Sequence, residues 1–190
     1  MEETYSERII NNMLQDRRLF GNSTKWANWM SQLAGNTCQL CVEQHGKIID
    51  ISELNDNPNV NAHFLCQCVY VPMRTIPAGH ATNMGHNGAD AQLFYYNTLP
   101  SYYVNKDAAY TAGWKNTYKN LSDALPGKMI GGDIYKNLEG KLPDEDGRVW
   151  YEADINYTEG KRNRQRIVYS NDGLIFVTND HLQTFYEIVE

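Results

Sequence analysis

The stretch EADINYTEGKRNRQRIVYS, Glu152 to Ser170, consists of two strand-like halves joined by a basic turn. Side chains alternate in polarity in both halves, which predicts a β-hairpin. Pairing of the halves would bring Arg166 within reach of Glu152 or Asp154. The whole chain of 190 residues carries a formal net charge of −6, so this basic cluster is a local feature. Four cations lie close together in it: Lys161, Arg162, Arg164 and Arg166.

The hairpin belongs to a run of short predicted strands that begins at about residue 129. The strands are MIGGDIY, RVWYEADINY, RIVYS, LIFVT and QTFYEIV, and turn-forming residues separate them. Short helices are predicted before them, at Ala89–Tyr96, Asn105–Gly113 and Lys115–Leu125. Helices followed by an antiparallel meander predict an α+β fold, with the N-terminal helices packed on the C-terminal sheet.

The first part of the chain has a different pattern. Residues 5–34 show apolar spacing typical of helices, interrupted at Phe20–Thr24. All four cysteines lie between Cys38 and Cys68. We therefore predict a small helical, Cys-rich module over residues 1–71, a Gly- and Pro-rich linker or irregular loop over 72–87, and a second domain over 88–190.

The chemistry of the tail suits phosphoryl transfer. Glu152 and Asp154 share one strand face, and His181 follows the apolar LIFVT strand in a turn. One group can remove a proton from an attacking hydroxyl, another can protonate the leaving oxygen, and arginines can stabilise the phosphate. RNA carries its own nucleophile, the 2′-OH, so neither a metal nor a covalent enzyme intermediate is needed. Taken singly and by pattern alone, these residues favour a structural interpretation: a cross-strand ion pair for Glu152 and Arg166, a turn residue for His181, and a solvated turn for the basic cluster.

From about Gly88 to Ile188 the chain resembles the barnase-type bacterial guanyl-specific ribonucleases. The resemblance is carried by GKMIGGDI, EGKLP, EADINYT and DHLQTF, in this order along the chain. It implies the microbial ribonuclease fold. It also implies an endoribonuclease that cleaves single-stranded RNA after guanine, without a cofactor, by transphosphorylation to a 2′,3′-cyclic phosphate.

The resemblance implies a role for each matched residue. Glu152 would be the general base and His181 the general acid. Arg162, Arg166 and Lys106 would bind the phosphate. Other matched residues would be structural: Asp154 would hold the two arginines, Arg148 would pair with Asp172, and Asp133 would be a turn residue.

Guanine would be recognised around the NLEGK motif. Glu139 would accept hydrogen bonds from the Watson–Crick edge, and backbone N–H groups around Asn137–Glu139 would complete the pocket. The chain has Leu138 where the family has an arginine, and Leu182 where it has a tyrosine. Lys136 and Arg164 are additional positive charges that could compensate.

The cysteines form two close pairs, CQLC and HFLCQC, which is a common arrangement for zinc. The candidate ligands are Cys38, Cys41, Cys66 and Cys68, with His63 as a substitute for one of them. Disulfides or free buried thiols explain the same pattern. Cys38 to Val71 also resembles the Cys-rich tail of phage head-morphogenesis proteins, which implies a module for attachment or delivery.

These features together favour an RNA-cleaving toxin or effector with a monomeric nuclease domain and a barstar-like inhibitor or immunity protein as partner. The alternative is a phage-derived structural or interaction protein whose ribonuclease fold is weakly active. A zinc-dependent nuclease is disfavoured, because the cysteines lie outside the nuclease-like region. No run of 18 apolar residues and no secretory signal is visible, so no membrane partner is expected and the location of the protein stays open.

Overall fold

The structure is a computed structural model that describes residues 24–31, 37–52, 68–117 and 119–190. Packing divides the chain into two compact units. The first comprises Met1–Arg74 and Leu138–Asp144, and the second comprises Thr75–Asn137 and Glu145–Glu190. None of the helices in the described ranges is long and apolar enough to cross a membrane.

The described part of the first unit is built on a three-stranded antiparallel sheet in the order β2-β1-β3. Its strands are β1 Trp26–Met30, β2 Ile48–Asp50 and β3 Val69–Pro72. One short helix, α1 Gln39–Gln44, precedes β2. The segment Leu138–Asp144 joins this unit through a hydrogen bond from the Ile48 N–H to the Lys141 carbonyl, at 2.8 Å.

The helix predicted through Trp26 and Trp29 is wrong, because these residues lie in the central strand of that sheet. Their spacing fits a helical period, but aromatic residues also favour strands. Ala27 is paired with Ile49 on one side and with Pro72 on the other, so both edges of β1 are occupied. The tertiary pairing overrides the local pattern. The remainder of the predicted N-terminal helices falls on residues 1–23 and 32–36, outside the described residues.

The second unit carries a seven-stranded sheet in the order β4-β10-β9-β8-β7-β6-β5. Its strands are β4 Thr75–Pro77, β5 Tyr103–Val104, β6 Met129–Tyr135, β7 Trp150–Asp154, β8 Arg166–Ser170, β9 Ile175–Thr178 and β10 Tyr186–Val189. Its helices are α2 Ala89–Tyr96, α3 Lys106–Thr111 and α4 Leu121–Ala124. Strands β6 to β10 form the predicted antiparallel meander, and β4 and β5 add in parallel at its edges. The prediction of an α+β fold is confirmed.

Helix α2 covers one face of this sheet. Leu93 packs with Ile155, Ile167 and Val177 in one buried cluster. Burial of each such aliphatic side chain stabilises the fold by about 1.5–3 kcal/mol. Because successive strand residues point to opposite faces, the opposite face of β7 is left for Glu152 and Asp154.

The segment predicted as a linker, 72–87, contains β4 and a tightly bonded loop. The fully buried carboxylate of Asp90 accepts hydrogen bonds from the N–H groups of Gly79 and Ala81 and from the Thr82 hydroxyl, at 2.8–2.9 Å. These bonds fasten the loop to α2. The boundary between the two units falls inside the predicted linker, before Thr75.

Candidate active site

Three strands bring the candidate residues to one end of the second unit's sheet. Asp154 is paired with Arg166 across β7 and β8, and Arg166 with Thr178 across β8 and β9. Strands β7 and β9 therefore end where β8 begins. The loop after Asp154 contains Arg162, and the turn after Thr178 contains His181. Both emerge at the same end of the sheet.

Asp154 is fully buried and binds two arginines. Arg162 donates from Nε and Nη2 to its two carboxylate oxygens, both at 2.7 Å, as a bidentate pair. Arg166 Nε lies 3.0 Å from Asp154 Oδ1. The predicted contact of Asp154 with both arginines is confirmed. In this cluster one carboxylate is shared by two guanidinium groups.

The two arginines experience opposite pKa shifts. Burial lowers the pKa of Arg162, but hydrogen bonds and the charge of Asp154, followed by the charge of Glu152, raise it more. Burial also lowers the pKa of Arg166, and the nearby Arg162 charge adds to this, so its pKa falls despite the attraction of Asp154 and Glu152. An arginine stays protonated in either case. Glu152 is thus close enough to interact electrostatically with both.

Asn163 orders the loop between the arginines, a role that the sequence did not predict. Its side-chain amide donates to the carbonyls of Ile155 and Asn156, at 2.9 and 3.1 Å. Its side-chain oxygen accepts from the Gln165 N–H at 3.0 Å. Arg166 Nη1 also donates to the Asn163 carbonyl at 2.8 Å. An asparagine inside a basic run is a turn signal that could have indicated this role.

Glu152 pairs with Lys106 and not with Arg166. Lys106 Nζ donates to Glu152 Oε1 at 2.6 Å. Asn105 caps α3, since its side-chain oxygen accepts from the Ala108 N–H at 2.8 Å, and this fixes Lys106 at the first position of the helix. The lysine side chain therefore reaches the carboxylate from a rigid element.

Asp133, predicted as a turn residue, lies within β6 and contacts the same lysine. Its carboxylate accepts from the Lys106 N–H at 3.2 Å and lies 4.0 Å from Nζ. The register of β6 shifts between Gly131 and Asp133, where Gly132 has a φ of +87°. This bulge sets Asp133 opposite Glu152. The GGD sequence is the signal that could have located it.

His181 is exposed and lies in a strained turn. His181 and Leu182 have φ values of 65° and 68°, a left-handed conformation that costs non-glycine residues about 1–2 kcal/mol each. The Leu182 N–H donates to Thr178 Oγ1 at 3.0 Å, and the His181 N–H donates to the Arg164 carbonyl at 3.0 Å. The second bond ties the histidine turn to the loop that carries the arginines.

Asp180 holds the rest of the histidine turn, which the sequence also did not predict. Its carboxylate accepts from the N–H groups of Gln183 and Thr184, both at 3.0 Å, and from the hydroxyls of Thr184 and Thr178. Partial burial raises the pKa of Asp180, but these hydrogen bonds outweigh it and lower the pKa overall. The turn is therefore fixed by its own polar side chains.

The residues predicted to recognise guanine follow β6. Lys136 and Asn137 belong to the second unit, and Asn137 has a left-handed φ of 46°. Leu138 and Glu139 belong to the first unit. Leu138 is 88% exposed, and Glu139 Oε2 lies 2.9 Å from Lys141 Nζ. Their role in base recognition stays a prediction.

The three cysteines of the first unit that the structure describes lie in or against its core. Cys41 and Cys68 are buried in one cluster, and Cys38 packs against it. Cys38 Sγ accepts from the Cys41 N–H at 3.5 Å. Cys66 and His63 lie outside the described residues, and among those that are described no group of three or more metal-ligand side chains is assembled. Zinc stays a prediction.

Comparison with known proteins defines the class. The family model for ribonucleases matches residues 86–189, more than half of the chain. The ribonuclease of Heyndrickxia coagulans is 48% identical over 102 residues, which cover 54% of this chain and 94% of that protein. Ribonucleases of Bacillus intermedius and Bacillus pumilus are also 48% identical over 102 residues, which cover 63% of their length. The chain belongs to the ribonuclease family. Within it, the chain is a barnase-like bacterial ribonuclease, as its motifs predicted.

Proposed function

We propose that this chain cleaves single-stranded RNA after guanine, without a metal, and leaves a 2′,3′-cyclic phosphate. One observation supports the proposal most strongly. The buried carboxylate of Asp154 holds Arg162 and Arg166 at the end of the sheet where the Glu152–Lys106 pair and the His181 turn lie. Two rigidly held arginines next to a carboxylate, a lysine and a histidine suit a reaction at a phosphodiester.

In the proposed reaction Glu152 removes the proton of the 2′-OH. The 2′-oxygen then attacks phosphorus, the bond from phosphorus to the 5′-oxygen breaks, and His181 protonates that oxygen. Arg162, Arg166 and Lys106 stabilise the additional negative charge of the pentacoordinate phosphate. Water hydrolyses the cyclic product with the roles of Glu152 and His181 reversed. The reaction requires Glu152 ionised and His181 protonated at its start.

The proposal includes base preference and biological role. Guanine preference rests on the family match at Asn137–Glu139, with Leu138 in place of the family's arginine. A role as toxin or effector, opposed by a barstar-like inhibitor, rests on the resemblances of the two parts of the chain. The sequence EGKLP, with Glu139 and Lys141, is the part of the match that supports base preference most directly.

The test uses the purified full chain, a chelator, and RNA oligonucleotides with a single guanine. We expect cleavage on the 3′ side of that guanine and a cyclic phosphate end, measured by mass spectrometry. Glu152→Ala and His181→Ala should each lower kcat by about 10²–10⁴-fold. Glu159→Ala and His86→Ala are matched controls, since both side chains are exposed and lie outside the proposed machinery.

Different results would contradict different parts of the proposal. Loss of cleavage with chelator, or full activity in both Glu152→Ala and His181→Ala, would overturn the mechanism. Equal cleavage after all four bases would overturn guanine preference and leave the mechanism intact.

A further inference from the structure

An exposed aromatic ring lies one helical turn from the Lys106–Glu152 pair. Tyr110 follows Lys106 by four residues in α3, so the two side chains share a helix face with Cβ atoms about 5–6 Å apart. Tyr110 is 44% exposed, although it is a large aromatic residue. None of the steps proposed above uses it.

The Trp114 ring packs against one face of the Tyr110 ring. The Tyr110 and Trp114 rings are stacked, with centroids 4.8 Å apart and planes 23° apart. Trp114 is only 2% exposed and packs in a buried cluster with Ala109 and Leu121. The indole therefore fixes the orientation of Tyr110 and leaves the remaining surface of the phenol ring open to solvent.

The sequence YTAGW specifies this arrangement. Gly113 has a φ of +92° and follows the end of α3. The Gly113 N–H donates to the Tyr110 carbonyl, and the Trp114 N–H donates to the Ala109 carbonyl, both at 3.0 Å. This pair of bonds is a Schellman motif, in which a glycine reverses the chain and returns the next side chain onto the helix. The stacked pair is thus built into the helix end.

One cation lies over the Trp114 ring, and two lysines lie near it in space or in sequence. The Arg162 guanidinium carbon lies 5.8 Å from the centre of the Trp114 ring. Lys119 Nζ lies 3.7 Å from the position that a Cβ on Gly113 would take. Lys115, next to Trp114, is exposed, and Asp107 is an exposed acidic residue on the same helix. An aromatic surface bordered by positive charges is the combination that binds single-stranded nucleic acids by base stacking.

We propose that Tyr110, supported by Trp114, is a stacking site for one unpaired nucleobase of the RNA strand next to the scissile phosphate. The inference rests on the proposed function, which supplies the substrate class, single-stranded RNA. Lys106, on the same helix face, belongs to the proposed phosphate site, so a base of a neighbouring nucleotide can reach Tyr110. Stacking uses the π-face that all bases share, so this site adds affinity without a preference for one base.

The test measures binding of single-stranded DNA hexanucleotides with one guanine, which lack the 2′-OH and are not cleaved. Three further hexanucleotides carry an abasic residue one position 5′, one position 3′ or two positions 3′ of that guanine. Tyr110→Ala should weaken binding of the intact strand about fivefold to tenfold. For one of the three abasic strands, binding to the wild type should be weaker than that of the intact strand by the same factor. Tyr110→Ala should not weaken the binding of this abasic strand any further, because the base that stacks on Tyr110 is already missing.

Three variants control this measurement. Tyr110→Phe should bind like the wild type, because the ring is retained. Tyr96→Ala should also bind like the wild type, because Tyr96 is an exposed tyrosine on α2, which packs on the opposite face of the sheet. If Tyr110→Ala does not fold, Tyr110→Leu keeps an apolar cover over Trp114 without an aromatic face, and the same losses are expected for it.

Wild-type affinity in Tyr110→Ala or Tyr110→Leu would overturn the inference. The inference would also be overturned if Tyr110→Ala weakened binding by the same factor for all three abasic strands, because the effect of the tyrosine would then not depend on a base. The binding test does not need cleavage. If base-dependent binding is found but the wild type does not cleave RNA, only the proposed function fails.

Discussion

The hairpin of β7 and β8 carries an arginine–aspartate cluster at each end, and the two clusters differ in composition. At one end the single carboxylate of Asp154 binds Arg162 and Arg166. At the other end the single guanidinium of Arg148 binds Asp172 and Glu145, both at 2.7 Å. The predicted Arg148–Asp172 pair is confirmed.

The two clusters differ in which charge is shared: two guanidinium groups share one carboxylate in the first, and two carboxylates share one guanidinium group in the second. The Asp154 cluster contains one negative and two positive charges, whereas the Arg148 cluster contains one positive and two negative charges. Burial differs as well, since the side chain of Asp154 is 0% exposed and that of Asp172 is 43% exposed. A buried carboxylate can position arginines rigidly, while an ion pair whose carboxylate is exposed contributes little beyond local stability.

The largest effect is expected for Asp154→Asn compared with Asp172→Asn. The first substitution removes the carboxylate that two largely buried guanidinium groups share, and should lower the free energy of unfolding by about 3–5 kcal/mol. The second should lower it by less than about 1 kcal/mol, because the Asp172 carboxylate is 43% exposed and Arg148 keeps Glu145 as a partner. Urea unfolding of both variants at neutral pH measures the difference. A similar decrease in the free energy of unfolding in both variants would show that burial does not make the Asp154 cluster more stabilising than the Arg148 cluster.

A second comparison concerns activity. Arg162→Ala removes a positive charge from the proposed phosphate site and should lower kcat/KM for RNA by about 10²–10³-fold. Arg148→Ala should leave kcat/KM unchanged at temperatures well below unfolding. Arg162→Lys should recover only part of the activity, since lysine cannot form the bidentate pair with Asp154. Equal losses in Arg162→Ala and Arg148→Ala would contradict the assignment of the two ends.

The smallest effect concerns acid pH. Hydrogen bonds from Arg148 lower the pKa of Asp172 to about 2, below its ordinary value of 3.8. The ionised carboxylate therefore stabilises the fold above about pH 4, and this stabilisation disappears as the pH falls toward about 2. The difference in unfolding free energy between wild type and Asp172→Asn should shrink over that interval, as measured by unfolding at a series of pH values. A difference that stays constant with pH would argue against the ion pair as its cause.

The sequence predicted the strands of the second unit well. Alternation in EADINY placed Glu152 and Asp154 on one face, and the predicted hairpin brought Arg166 to the neighbouring strand, where it is paired with Asp154. These features are local, because the strand period of two residues fixes faces and a hairpin fixes its own register. The contact partners were less predictable. The sequence offered both Glu152 and Asp154 as ion-pair partners for Arg166, and in the folded structure the partner is Asp154.

In the first unit a local pattern gave the wrong answer. Apolar residues at Trp26 and Trp29 fitted a helix, but β1 pairs on both edges with strands that lie far along the chain. The segment 72–87 is rich in glycine and proline, which predicted a linker or an irregular loop, and only the structure shows that Asp90 fastens part of it to α2. The helix error arises because hydrogen-bond partners that lie far along the chain are absent from a local pattern.

The sequence by itself determined the meander of β6 to β10, the shared face of Glu152 and Asp154, and the membership of the ribonuclease family. Only the tertiary structure decided that Lys106 pairs with Glu152, across 46 residues of chain, and that Tyr110 lies stacked and exposed beside them. The physical reason is separation along the chain. Backbone periodicity fixes neighbours on one strand or hairpin, whereas side chains on different elements meet only after those elements have packed.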